Sequence, residues 1–191
     1  MGPPSTQAGQ PRLIIAPLAA VEGVAAAQPE IWVCGLLGPE MAQQHPALPS
    51  VPEERRLRLS LHDISMPRPG HVMAAPEQLL QLLEFAGRWQ QAARQGRAGA
   101  LLLHCWFGIS RSPAAAFIVQ CALRPQEAEE TLAQELRQVL PMATPNARMV
   151  ALADALLGRN GRMQAAIRRI GRGQEAGSGE VAHWPLTADD G

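Results

Sequence analysis

Cys105 stands six positions before Arg111, inside the run Ala100-Leu101-Leu102-Leu103-His104-Cys105-Trp106-Phe107-Gly108-Ile109-Ser110-Arg111-Ser112-Pro113-Ala114. A thiol and a guanidinium at this spacing suit an oxyanion. The loop between them can close with its backbone N–H groups converging on one point while the planar guanidinium fork arrives from the far side, and a tetrahedral phosphate fits there. Cys-x5-Arg alone is weak in a chain with three Cys and 17 Arg. His104, Gly108 and the hydroxyl of Ser112 turn it into His-Cys-x2-Gly-x2-Arg-Ser, a far more specific pattern. Cys105 is the candidate nucleophile: a free thiol near pKa ~8.5 can fall to ~3.5–7.5 at a helix N-terminus beside Arg, although a lone Cys is more often a small buried apolar residue. Arg111 would hold two equatorial oxygens and stabilise the charge that spreads over them, the plainer reading being a surface ion pair. Gly108 supplies a backbone angle that a Cβ resists, and the loop positions Trp106, Phe107, Gly108, Ile109, Ser110 and Arg111 together form the phosphate cradle. His104 ends the strand and reads as a buried, hydrogen-bonded histidine that fixes loop geometry.

At these residues the chain resembles the cysteine-based protein tyrosine phosphatases, whose signature is His-Cys-x5-Arg followed by Ser or Thr, and most resembles their compact dual-specificity-like branch. The likeness is complete in the loop and extends from about Leu13 to Gly158 as an order of elements. It implies a metal-independent phosphomonoester hydrolase without a cofactor, a protein tyrosine or dual-specificity phosphatase that works through a phosphocysteine intermediate. It also implies that Ser112 is the hydroxyl that hydrogen-bonds the nucleophilic sulfur and helps it leave, where an ordinary helix-start serine is the alternative. A leaving oxygen needs a proton. Of the aspartates Asp63, Asp154, Asp189 and Asp190, only Asp63 precedes the cradle. Asp63 also sits where a strand runs out into a Pro/Gly loop, the family's position for the general acid; the alternative is a loop-capping Asp. Asn146, after Pro145, resembles a family Pro-Asn near the site, but an N-cap accounts for it. Trp106 and Phe107 bear on substrate if they face the pocket and are otherwise core. Since every cradle position before Arg111 is uncharged, aryl phosphate on protein is favoured over an inositol polyphosphate.

The elements that must position these residues follow from periodicity. Leu13 to Ala16, Ile31 to Leu37 and Ala100 to Leu103 are apolar runs of strand length, and Leu57 to His62 alternates with period two. Leu79, Leu82, Leu83, Ala86 and Trp89 recur at helical spacing from Pro76 on. Further helices are expected over 111–123, from Pro125 to Pro141, from Pro145 to Gly158, and briefly over 161–170, with a short one over 21–28. Alternating strands and helices predict an α/β fold: one domain with a central parallel or mixed sheet flanked by helices, and the phosphate loop between a strand and a helix. Residues 1–11 are expected as a flexible tail, 12–171 as the phosphatase-like domain and 172–191 as a linker-like tail in which His183 to Leu186 can dock.

Composition narrows the partners. The formal net charge is zero and all cations are Arg, without the dense basic face of a nucleic-acid binder. The expected partner is a phosphorylated protein or another aryl phosphomonoester, with neither nucleic acid nor membrane involved. No cluster has metal-ligand spacing. Three cysteines without a framework and no signal-peptide pattern predict a cytoplasmic protein. Cys34 and Cys121 read as buried; a protective disulfide with Cys105 is the alternative. The other classes that fit are a phosphate-binding module without turnover and a sulfur-transfer or arsenate-reducing enzyme.

Overall fold

The computed structural model describes residues 11–44, 48 and 50–186. The expected N-terminal tail, 1–11, lies outside them except for Pro11. Three apolar runs form the centre of a five-stranded sheet of order β3-β2-β4-β1-β5. These are β1 (Arg12–Pro17), β2 (Trp32–Leu37) and β4 (Leu101–Cys105), almost wholly buried. Strands buried on both faces must be apolar at successive positions, which is why they lack alternation. β3 (Arg56–Ser60), an edge strand, alternates, with Leu57 and Leu59 toward the larger core and Arg56 and Arg58 on the other face, where they line a cavity. β1, β4, β2 and β3 run parallel in register, with Gly35 opposite His104 and Pro17 opposite Cys105.

Successive β4 residues divide between two cores. Leu101, Leu103 and Cys105 face the larger one with α3 (Pro76–Arg94), α4 (Arg111–Leu123), α5 (Glu129–Val139), α6 (Ala147–Leu156) and α7 (Arg162–Ile170). Ala100 and Leu102 face a smaller one with Ile14, Ala16, Val33, Val51 and the helix α1 (Val21–Ala27). Both faces are covered, unequally, and the second face keeps a cavity of about 760 Å³. α4 is buried from Arg111 to Cys121. Ala114, Ala115 and Ala116 bring it close to β4, and Pro113 costs nothing in a first turn where its missing N–H is unused.

The largest departure from expectation is at the C-terminal end. Of the segment 172–191, expected as a linker-like tail in which His183 to Leu186 can dock, residues 187–191 lie outside the described residues; the part around the docking candidate forms a strand, β5 (Ala182–Pro185), antiparallel to β1 with Trp184 opposite Leu13. Trp184 is buried and its Nε1 donates to Glu135 Oε2 at 2.9 Å, while Gln120 Nε2 donates to the Pro185 carbonyl at 3.1 Å. A four-residue strand with proline at its exposed edge carries too little periodicity to be read in advance. A short helix, α2 (Pro39–Gln44), was also not expected. α5 starts at Glu129 rather than near Pro125, because residues 125–127 turn first. β3 stops at Ser60 rather than running to His62.

Candidate active site

Cys105 ends the central strand at the carboxyl edge of the parallel strands, where open α/β sheets place their ligand sites. It lies at the bottom of the loop, 2 % exposed. Gly108 N–H donates to its Sγ at 3.3 Å, and the buried Ser112 hydroxyl lies 3.2 Å from the same sulfur. Gly108 has φ +72°, and a Cβ there would sit 2.7 Å from the Pro17 nitrogen, so both conformation and space demand glycine.

The loop is braced from outside by backbone donors. Leu18 N–H donates to the Trp106 carbonyl (3.2 Å), Gly179 N–H to Phe107 (2.7 Å), Thr144 N–H to Ile109 (2.8 Å) and Asn146 N–H to Ser110 (3.3 Å). In a planar trans peptide the C=O and the following N–H point in opposite directions. Holding these carbonyls outward therefore turns the N–H groups of Phe107, Gly108, Ser110 and Arg111 inward, at the N-terminus of α4, where the helix dipole also favours negative charge.

Arg111, nearly buried, begins that helix, and its Nη1 donates to the Leu61 carbonyl at 2.9 Å. Its Nε has no hydrogen-bond partner among the described residues, the nearest carboxylate oxygen, Asp63 Oδ2, standing 4.0 Å away. A bound oxyanion would supply the acceptor that this buried donor lacks. Asp63, 42 positions before Cys105 in the chain, is thus brought to the same mouth. Its Oδ1 accepts from Ser110 Oγ at 2.7 Å and from Asn146 Nδ2 at 2.8 Å. With two donors on Oδ1, a proton on this carboxyl sits on Oδ2. Asn146 does cap α6, its Oδ1 accepting from Met149 N–H at 3.1 Å, but the same side chain also holds Asp63. Its capping role hid that tie, which spans 83 positions and leaves no local pattern.

The loop that carries Asp63 is closed by residues that sequence reasoning passed over. His62 N–H donates to the Val72 carbonyl, and Val72 N–H donates back to His62 Nδ1, both at 2.8 Å. Because Nδ1 accepts, Nε2 carries the hydrogen and donates to Glu40 at 3.2 Å. His71 packs on the same ring at 4.6 Å between centroids.

His104 lies on the opposite sheet face from Cys105, as strand alternation requires, with its ring over Gly35; a Cβ on Gly35 would be 2.7 Å from Nε2. Trp106 and Phe107 point away from the cradle's interior and line the second-face cavity, edge to face with ring centroids 6.2 Å apart. They are partly exposed, neither core nor against the anion site. Cys34 and Cys121 are buried, and burial pushes both thiols well above their ordinary range; all three cysteines are free. No helix among the described residues is long and apolar enough to cross a membrane.

This fold is that of the cysteine-based protein tyrosine phosphatases, in the compact form of the dual-specificity members. Human DUSP28 superposes with a TM-score of 0.51 at 21% identity, covering 78% of this chain and 94% of that one. Tk-PTP in its active form gives 0.51 at 21% over 79% and 93%, and DUSP15 gives 0.55 at 14% over 85% and 96%. No family model matches the sequence, and no curated protein matches it by sequence.

Proposed function

We propose that this protein is a metal-independent phosphatase of aryl phosphomonoesters on proteins, acting in a reducing, cytoplasmic compartment. One observation carries the reading: a sulfur, a ring of inward N–H groups, an unsatisfied guanidinium nitrogen and a carboxyl meet at one mouth. In the first step the Cys105 thiolate attacks phosphorus and the P–O bond to the leaving group breaks. The proton on Asp63 goes to the departing oxygen, and the inward amides with Arg111 stabilise the equatorial oxygens. In the second step water attacks the phosphocysteine, Asp63 takes its proton, and Ser112 donates to the departing sulfur so that thiolate and phosphate separate.

The surroundings favour a peptide substrate. A cleft of about 470 Å³ beside Ser110 is lined by Thr144, Pro145, Ile167, Arg168 and Arg172 without a carboxylate. Acidic side chains flanking a phosphotyrosine would find partners there.

A second reading, a phosphate-binding module without turnover, draws on the hydrogen bonds that engage Asp63 from both Ser110 and Asn146. Pre-steady-state hydrolysis of phosphotyrosyl peptides separates the two. Sustained release of phosphate supports the enzyme, a burst without turnover identifies a trapped intermediate, and phosphate binding with no product identifies the module. Phosphoseryl and phosphoinositide substrates in the same assay set the specificity.

A further inference from the structure

We infer that residues 172–186 form a strap that aims one of the cradle's amides, with Gly179 as its positioning residue. Leaving α7, the chain does not depart from the domain. Gly173 N–H donates to Thr144 Oγ1 at 3.0 Å and Gln174 N–H to the Pro141 carbonyl at 3.1 Å. Residues 174–178 are exposed, and the strap then dives: Gly179 is buried and its N–H donates to the Phe107 carbonyl at 2.7 Å, the Ser178 hydroxyl reaching the same oxygen at 3.5 Å. Beyond it, β5 is fixed to β1, with Trp184 held by Glu135 and Pro185 by Gln120.

The Phe107–Gly108 peptide is therefore pinned at both ends. Its carbonyl is held by the strap and its N–H points at Cys105 Sγ. Peptide planarity makes these one constraint: rotation of the unit that releases the outer bond also swings the inner N–H off the sulfur and off the anion site. Glycine is required at 179 for a physical reason. An added Cβ would lie 2.8 Å from the Gly108 oxygen and 3.1 Å from the Phe107 oxygen, both backbone atoms that cannot step aside alone. Gly177, two residues earlier, has open space at the same position and serves as the internal control.

The inference rests on the proposed chemistry only for its effect on rate, since anion binding reads the same geometry without turnover. Gly179→Val and Gly177→Ala are compared in the full chain by melting temperature, by inorganic phosphate binding in calorimetry, and by turnover of an aryl phosphate. The expected result for Gly179→Val is phosphate binding weaker by about tenfold or more, as for loss of a hydrogen bond to a charged group. Turnover should be lower by about 100-fold, the scale of losing one preorganised donor. Gly177→Ala should match the parent in all three. Unchanged phosphate binding in Gly179→Val overturns the strap's role. Should that variant not fold, amide hydrogen exchange in the parent chain decides: Gly179 N–H should be protected and gain protection when phosphate binds, because coupling between two sites is reciprocal. Exchange as fast as the amides of the exposed stretch 175–178 overturns the inference. A parent chain that binds phosphate but never turns over refutes the proposed function while leaving the strap to be judged by binding alone.

Discussion

Two loops meet at the candidate site and are held very differently. The cradle, 105–112, is fixed by donors from Leu18 just after β1, from the α5–α6 connection and from the C-terminal strap, and its sulfur and serine are buried. The segment 61–75 is mostly exposed, with Met66 75 % exposed; it is tied to the cradle through Ser110 on Asp63 and Arg111 on Leu61, and to the α6 cap through Asn146. On the proposed function, anion recognition would reside in the more firmly held part and proton delivery in the more exposed one. The proposed function thus makes binding and turnover separable, and each substitution tests one side of that division.

The largest effect is expected from Cys105→Ser, which should abolish aryl phosphate hydrolysis while phosphate or vanadate still binds, because the cradle is backbone and Arg111. Residual turnover above about a thousandth of the parent would remove Cys105 as nucleophile. Asp63→Asn tests the looser loop. Hydrolysis of phosphotyrosine should slow by roughly 100- to 10,000-fold, activated esters should suffer less, and the limb of the pH profile on which rate falls as pH rises should vanish. An equal loss for all leaving groups would reduce Asp63 to a brace for Ser110 and Asn146. Arg111→Lys returns to the rigid side: a point charge cannot offer two parallel donors, so turnover should fall by roughly a hundredfold and phosphate affinity with it. Near-parental affinity would place the guanidinium elsewhere than over the anion.

The smallest expected effect concerns the strap's anchor. Burial opposes ionisation of Glu135, but hydrogen bonds from Arg124 and Trp184 outweigh it and hold its carboxyl below the ordinary value of 4.5. A group whose folded pKa is depressed contributes stability that is present above the unfolded value and is lost as pH falls through the folded one. Acid, below about 4.5, should therefore loosen the hold on β5, and Glu135→Gln should flatten that part of a melting-temperature profile against pH. An identical profile in the variant would show that Trp184 is held by packing alone.

Most of the sheet and the centre of the site were legible because their determinants are local. A wholly apolar run is what a two-sided strand requires, so β4 and the loop after it could be read from 100 to 114. Period two marked β3 and period 3.6 marked α3 for the same reason. What escaped depends on contacts distant in sequence. Asn146 looked like a cap and is one, yet it also grips a carboxyl 83 positions away. The glycines of 171–179 looked like flexibility, but Gly173 and Gly179 are there because backbone passes against backbone. Composition alone cannot distinguish a glycine that frees a chain from one that lets it pack closely.

The sheet's two borders carry a further consequence. On one, α2 and Leu48 lie beside β3, Arg58 Nη1 donating to the Ala42 carbonyl at 3.0 Å and Arg56 Nη1 to the Leu48 carbonyl at 3.1 Å, and a flanked, charged edge of this kind discourages another chain from adding itself there. On the other, β5 with its terminal proline covers Leu13-Ile14-Ile15, an uncharged apolar stretch of the kind that stacks into aggregates when bared. A single protease cut in the exposed stretch 174–178 would therefore unhook Gly179 from the cradle and loosen the cover over β1. Clipped protein should precipitate and, on the proposed function, bind phosphate more weakly, so that damage at one surface stretch would remove the protein from solution.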